Sequence, residues 1–139
     1  MKYNYTQFHT ENQLFDFLKT NFISDLIQTS ATARFDCYSN AFKLNIELKC
    51  RRKHYNELML EKKKYDSILE RSESLGMLPV YINSTPLGVW AFYLLRKEYD
   101  WSVRSLPTTT NWNSKKIEKE VTYLNISQGI DLLTILPLS

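Results

Sequence analysis

The sequence is poor in the residues that mark disordered chains, metal fingers and membrane proteins. It has only three glycines and four prolines among 139 residues, too few for a disordered or low-complexity chain. Its two cysteines, Cys37 and Cys50, lack metal-finger or thiol-redox spacing, and we expect both to be buried free thiols. No hydrophobic run reaches membrane-spanning length, and the polar first residues contain no secretory segment. These absences predict a cytoplasmic protein in a reducing compartment, without membrane contact.

Several catalytic motifs are absent as well. The sequence has no glycine-rich phosphate loop, no serine nucleophile elbow and no zinc-ligand cluster. His9 and His54 are isolated, so we assign both to the surface. The net charge is only +3, but the basic residues are clustered. They lie at Lys49, Arg51, Arg52, Lys53 and Lys62 to Lys64, and again at Lys115, Lys116 and Lys119. Such local basic surface matters more for phosphate binding than the total charge.

The length of 139 residues predicts a single domain over residues 1–139, and the hydrophobic periodicity predicts both helices and strands within it. Thr10 caps a first helix that continues to about Leu26 or Ile27. We then predict strands at 32–38 and 42–50, a helix at 55–75 that stops at Gly76, and strands at 78–83, 89–95, 101–105 and 120–126. The helix would connect strands 42–50 and 78–83 by a right-handed crossover, so these two strands should be parallel. The apolar tail at 130–138 should dock onto the core.

The strand at 42–50 alternates strictly between apolar and polar residues. One face carries Phe42, Leu44, Ile46, Leu48 and Cys50, and the other carries Lys43, Asn45, Glu47 and Lys49. A carboxylate and an ammonium group therefore project together from a strand whose back is anchored in the core. If Asp36 of the preceding strand reaches the same place, two acids and a lysine converge, as a metal-dependent phosphodiesterase requires.

The order helix, strand, strand, helix, strand, with an aspartate and then Glu-x-Lys on adjacent strands, resembles the PD-(D/E)XK nuclease superfamily. The resemblance covers roughly residues 10–95 and leaves 96–139 as a C-terminal extension. It implies an α/β fold with a restriction-endonuclease-like αβββαβ core, in which helices flank a mixed central sheet. It also implies that Asp36 and Glu47 bind the metal and that Lys49 completes the catalytic set. By family habit, so compact a nuclease implies a phage or mobile-element origin for this chain.

Three further residues match the family less directly. The helix segment from Glu61 to Tyr65 is similar to the Gln-x-x-x-Tyr motif of the exonuclease branch, with Glu61 in place of glutamine. Glu11 lies where the family often keeps an additional acid. Each has a second interpretation, because Glu11 could complement the helix dipole, Glu61 could pair with a lysine, and Tyr65 could pack in the core. The sequence departs from the family name at Phe35, which replaces the proline.

The chemistry can also be argued from the residues themselves. Magnesium prefers oxygen ligands in near-octahedral geometry at about 2.0–2.1 Å. Asp36 and Glu47, with the backbone carbonyl of Leu48, could hold Mg²⁺ or Mn²⁺ and leave room for a phosphate oxygen and a water. Lys49 could orient or deprotonate that water, or neutralise charge in the transition state. We therefore predict metal-dependent hydrolysis of phosphodiester bonds in DNA.

The spacing of the two acids poses a geometric difficulty. A tight turn at Ser39 and Asn40 would place Asp36 opposite a residue near Leu44 rather than opposite Glu47. An offset of three residues is about 10 Å along a strand, too far for one metal ion to bridge. A bulge, a wider loop or strong strand twist must close this gap.

Phosphate contacts are predicted next to the catalytic strand. The candidates are Arg51, Arg52, Lys53 and Lys62. Most of the run Lys62 to Lys64 should be solvated, because successive helix residues step by about 100°. Trp101 and Trp112 could stack on bases, but we assign them to packing.

Two alternatives to a nuclease stay open. The first is a nucleic-acid-binding module on the same fold that does not cut. The second is a structural protein in which Glu47 and Lys49 lie on a solvated strand face, since Glu-x-Lys arises often by chance. In a nuclease this small, specificity would come from a homodimer or a partner protein.

Overall fold

The structure is a computed structural model that describes residues 5–29, 36–107 and 116–136. These residues form the helices α1 (Glu11–Asn21) and α2 (Lys62–Leu75). The strands are β1 (Ile27–Gln28), β2 (Asp36–Ser39), β3 (Leu44–Cys50), β4 (Glu57–Glu61), β5 (Leu78–Thr85), β6 (Gly88–Tyr93), β7 (Ser102–Pro107), β8 (Lys116–Asn125) and β9 (Ile130–Asp131). Two short 3₁₀ helices, Ile126–Gln128 and Leu132–Thr134, flank β9.

The strands form two sheets. The larger has the order β1-β2-β3-β5-β6-β9 and is mixed, because β3 and β5 are parallel while the other pairs are antiparallel. The smaller is antiparallel with the order β4-β8-β7. The parallel pairing of β3 with β5 across α2 is the one that the sequence predicts. The mixed α/β architecture confirms the predicted fold class.

The large sheet has a core on each face. On one face, Leu14 and Leu18 of α1 pack against Ile46 and Ile82. On the other face, a second core includes the buried side of α2 and the inner side of the small sheet. Its buried members are Leu58, Leu60, Tyr65, Ile68, Leu69, Tyr81, Trp90, Phe92, Leu94 and Leu124. Glu47 and Lys49 project toward this second layer, so α2 and the small sheet border the predicted site.

Helix α1 begins as predicted and ends earlier. The side chain of Thr10 accepts a hydrogen bond from the Gln13 amide (3.2 Å), which completes the predicted N-cap. The helix stops at Asn21, because the Phe22 and Ile23 amides both bond to the Leu18 carbonyl and the chain turns away. The predicted end at Leu26 or Ile27 is therefore wrong. Leu26 continues the helical spacing of apolar residues in the sequence and is fully buried, but it lies in the segment after the helix.

The predicted helix at 55–75 is wrong in its first part. Glu57–Glu61 is the strand β4, which pairs with β8, and α2 begins only at Lys62. Leu58 and Leu60 are both fully buried, so this segment alternates with the period of a strand. Its partner lies some sixty residues away, and tertiary pairing outweighs the helix propensity of the segment. Gly76 ends α2 as predicted, with the left-handed φ of 65° that favours glycine.

The remaining boundaries shift by a few residues. Residues 42 and 43 belong to the turn before β3, β6 ends at Tyr93, and β7 and β8 extend beyond the predicted 101–105 and 120–126. Leu132 and Leu133 are buried, so the described part of the C-terminal tail docks onto the core as predicted. Residues 32–35, Trp112, Lys115 and 137–138 lie outside the described residues. No helix in the described part of the chain is long and apolar enough to cross a membrane.

The predictions for the two cysteines and the two histidines have mixed outcomes. Cys37 and Cys50 are free thiols as predicted. Cys37 is buried, which raises the pKa of its thiol to about 12, whereas Cys50 is only half-buried, so its predicted burial is wrong. His9 is exposed as predicted. His54 is half-buried, with Nδ1 2.9 Å from the Thr85 hydroxyl and its ring against Trp90, so its assignment to the surface is wrong.

Candidate active site

The loop between β2 and β3 removes the geometric difficulty that the sequence raises. Ser39 pairs with Leu44, so four residues form the connection instead of a tight turn. Its last residue, Lys43, has a positive φ of 56°. The wider loop brings Asp36 directly opposite Glu47. Directly paired residues on adjacent antiparallel strands lie on the same face, about 4.5–5.5 Å apart at their Cα atoms.

A distant carboxylate holds this loop open. Asp25 accepts a hydrogen bond from the Ser39 hydroxyl (2.6 Å) and another from the Ala41 amide (2.9 Å). These two bonds hold the pKa of Asp25 below its usual range. The Phe42 amide also donates to the Ser39 hydroxyl oxygen (3.1 Å). The residue that fixes the register of the two acids therefore comes from the segment between α1 and β1.

Glu47 is buried, with only 3% of its side chain exposed. Lys49, two residues along the same strand face, is half-buried. A solvated strand face would leave such a carboxylate in water, so the interpretation of Glu47 as part of a solvated face is wrong. Burying a charge is costly unless it is paired, and Glu47 is paired.

Two cations from α2 pair with the two acids. The Lys64 ammonium is 3.2 Å from a carboxylate oxygen of Glu47, and the Arg71 guanidinium is 3.5 Å from one of Asp36. Lys64 belongs to a run predicted to be mostly solvated, and Arg71 is not among the predicted site residues. The missed signal is helical spacing: these residues are two turns apart and flank Ile68, which is on the buried side of α2.

Lys49 is half-buried among charged groups of both signs. Burial lowers its pKa, and the nearby charges of Lys64 and Arg51 lower it further, while Glu11 and Glu61 act in the opposite direction. The structure thus brings the predicted accessory acid Glu11 close to Lys49. Both line a cavity of about 510 Å³ that opens beside β3. Its other lining residues are Gln7, Phe8, His9, Cys50, Arg51 and Arg52.

Glu61 and Tyr65, which are predicted to act together, contact different parts of the protein. Glu61 is the last residue of β4, and its carboxylate is 2.7 Å from the Lys119 ammonium of β8. Burial raises the pKa of Glu61, but Lys119 and other lysines outweigh this and hold it below its usual range. Tyr65 is buried in the second core, and its hydroxyl donates to the Leu95 carbonyl (3.0 Å). These contacts match the second interpretation of each residue, because Glu61 forms an ion pair with a lysine and Tyr65 packs in the core.

The backbone places the Leu48 carbonyl on the side of the two acids. The Arg51 amide donates to the Ser84 carbonyl of β5 (2.8 Å). Peptide groups alternate along a strand, so the even-numbered residues of β3 direct theirs toward β2, where Asp36 lies. Two carboxylates and this carbonyl form an all-oxygen donor set, which fits Mg²⁺ or Mn²⁺. No cluster of three or more His, Cys, Asp or Glu side chains suited to a metal occurs among residues 5–29, 36–107 and 116–136.

The predicted phosphate contacts lie in different surroundings. Arg52 and Lys53 are exposed, whereas the Lys62 ammonium pairs with Asp66 (3.0 Å) and lies 5.8 Å from the centre of the Trp101 ring. Trp101 itself packs against the second core, as predicted. The phosphate-binding roles of these residues stay predictions.

Arg51 joins the two sheets. Its Nε donates to the side-chain oxygen of Asn83 in β5 (2.7 Å), and its Nη2 donates to the Met59 carbonyl in β4 (2.6 Å) and to the Tyr81 hydroxyl (3.3 Å). Asn83 is fully buried. This contribution to the fold is invisible in the sequence, because the partners come from two distant strands.

Arg51→Ala is expected to lower the free energy of unfolding by about 1–3 kcal/mol, since it leaves buried acceptors without their donor. The matched control is Arg52→Ala, which removes the same charge from an exposed neighbour and should change stability by about 0.5 kcal/mol or less. Urea denaturation measures both. Equal losses of stability in the two variants would show that the hydrogen bonds of Arg51 to β4 and β5 do not stabilise the fold.

Comparison with known proteins supports the architecture. No protein-family model matches the chain, and no curated protein matches it. Among solved structures, the chain is similar to Hjc of Archaeoglobus fulgidus, a Holliday junction resolvase from an archaeal hyperthermophile. The two are 13% identical, with a TM-score of 0.55, and the match covers 90% of this chain and 95% of Hjc. At this identity the likeness shows the fold, which is restriction-endonuclease-like.

Proposed function

We propose that this protein is a nuclease of the PD-(D/E)XK type that hydrolyses phosphodiester bonds in DNA with a divalent metal ion. The observation that carries the proposal is the direct pairing of Asp36 with buried Glu47, with Lys49 following on the same strand face. A four-residue loop and a dedicated carboxylate, Asp25, hold this register. Such an arrangement brings together the acids and the lysine that the resemblance identifies.

In this proposal each residue of the site has a separate catalytic role. Asp36, Glu47 and the Leu48 carbonyl would hold Mg²⁺ or Mn²⁺. When bound, such an ion polarises the phosphoryl group and lowers the pKa of its water. Lys49 would orient the attacking water and stabilise the negative charge that develops on the phosphate. Glu11, which shares the cavity with Lys49, is the candidate for an additional acid.

Branched DNA is the substrate that we propose to test first. Hjc, whose fold the chain shares, is a Holliday junction resolvase. Cutting a four-way junction symmetrically requires two active sites, so the proposal includes a homodimer. A two-fold dimer of a chain this small would supply both sites and the specificity that one domain has little room for.

A second candidate function is a DNA-binding module that does not cut. Its supporting observation is that each of the two predicted carboxylate ligands has a protein cation beside it, Lys64 at Glu47 and Arg71 at Asp36. In such a module these ion pairs would be permanent and would replace the metal.

Incubation of the purified protein with single-stranded, duplex and four-way-junction DNA separates the two functions. We expect cutting in Mg²⁺ or Mn²⁺ and none in EDTA, and the product lengths distinguish endonuclease from exonuclease action. Salt-sensitive binding without cutting in any metal would favour the binding module.

A further inference from the structure

The two ion pairs of the site share an unusual arrangement. In each pair the acid is the inner member and the cation the outer one. The side chains of Glu47 and Asp36 are 3% and 17% exposed, whereas those of Lys64 and Arg71 are 24% and 39% exposed. Both cations come from one helix and are seven residues apart, which is about 10.5 Å along its axis. They therefore form a short basic row at the rim of the site.

This row neutralises acids that the proposed function assigns to a metal ion. A carboxylate that coordinates a divalent cation has less attraction for a neighbouring ammonium or guanidinium. Lys64 and Arg71 would then be cations at the rim without their present partners, beside the position of the scissile phosphate. A DNA strand offers phosphates on both sides of that position, and lysine and arginine are the side chains that bind them.

We infer that Lys64 and Arg71 are contacts for the DNA backbone on either side of the cleaved bond, held by Glu47 and Asp36 until those acids are neutralised. The inference rests on the proposed function and deepens it, because it names the phosphodiester backbone as the ligand of this row. It differs from the sequence prediction, which gives the phosphate contact on this helix to Lys62. Neutralising the acids and binding DNA are therefore coupled.

The coupling can be measured without a metal. Glu47→Gln keeps the shape of the side chain and removes its charge, which releases Lys64. In EDTA, we expect this variant to bind a fluorescein-labelled four-way junction about threefold more tightly than the wild type, by fluorescence anisotropy. One added phosphate contact makes the affinity fall by about a further threefold between about 50 and 200 mM salt, and we expect a gain of similar size at low salt. The slope of log affinity against log salt should steepen by about 1.

A double-mutant cycle separates this mechanism from simple loss of repulsion. If Lys64 receives the phosphate, the gain from Glu47→Gln disappears when Lys64→Gln is also present. If Glu47 merely repels DNA, the gain stays the same or grows. Lys64→Arg keeps the charge and should keep the gain. Lys63→Gln is the matched control, because Lys63 is the exposed neighbour on α2 and the gain should survive its loss.

The second ion pair gives an independent cycle should a Lys64 variant fail to fold. Asp36→Asn should strengthen binding, and Arg71→Gln should abolish that gain. The inference is overturned if neither acid variant binds more tightly, or if the gains persist without Lys64 and Arg71. A wild type that cuts DNA while the cycles are additive would overturn this inference alone. A wild type that neither binds nor cuts DNA would overturn the proposed function and the inference with it.

Discussion

Lys49→Ala is expected to slow DNA cleavage by about 10²- to 10³-fold, the cost of removing one preorganised group that stabilises charge in the transition state. The loss should fall on kcat, because Lys49 acts on the reacting phosphate more than on the bound strand. Single-turnover cleavage at saturating protein measures this directly. Lys63→Ala removes an equal charge from the exposed side of α2 and should cut at the wild-type rate.

The same substitution should leave the protein at least as stable as the wild type. Burial, together with the charges of Lys64 and Arg51, lowers the pKa of Lys49, so the fold disfavours its charged form. Below that lowered pKa the charged lysine destabilises the native state, and its removal relieves this cost. A melting temperature far below that of the wild type would mean that the variant loses activity because it unfolds. A variant that is folded and fully active would remove Lys49 from the site.

Mg²⁺ or Mn²⁺ is expected to raise the melting temperature of the wild type and not that of Glu47→Gln. A ligand that binds only the native state stabilises it by about 2.7 kcal/mol at a hundred times its Kd. Glu47 is the more buried of the two proposed carboxylate ligands, so replacing one of its carboxylate oxygens with an amide nitrogen should remove most of this effect. Differential scanning fluorimetry over a metal titration follows it.

Glu57→Gln is the matched control for the metal titration. It makes the same chemical change at an exposed position of β4 and should respond to metal like the wild type. An equal rise of the melting temperature in all three proteins would place the metal elsewhere. No rise in any of them would favour the binding module, in which Lys64 and Arg71 neutralise the acids permanently.

Local signals in the sequence predict the elements whose contacts are local. The Thr10 cap and the Gly76 stop depend on neighbouring residues, and both are present in the structure. The apolar and polar alternation of β3 is also a local feature, although the structure buries both faces of this strand from Asn45 to Leu48. Strand β4 could not be predicted in this way, because its leucines become a strand only through pairing with β8.

The candidate site likewise combines features that follow from the local sequence with features that depend on tertiary contacts. The strand parity of Glu47 and Lys49 is a local property, and it identifies the face on which they lie. Whether Asp36 meets them depends on the width of one loop, which Asp25 fixes from outside the hairpin. Lys64 and Arg71 reach the acids only because α2 crosses this face of the sheet. Tertiary contacts of this kind leave no short motif in the sequence.

We propose that Asp36, Glu47 and Lys49 form one metal-dependent phosphodiesterase site. The most direct test compares cleavage of a labelled four-way junction and a duplex by the wild type, Asp36→Asn, Glu47→Gln and Lys49→Ala, in Mg²⁺ and in EDTA. We expect the wild type to cut in Mg²⁺ and not in EDTA, and every variant to lose at least about 10²-fold in rate. Undiminished, metal-dependent cutting by all three variants would contradict it.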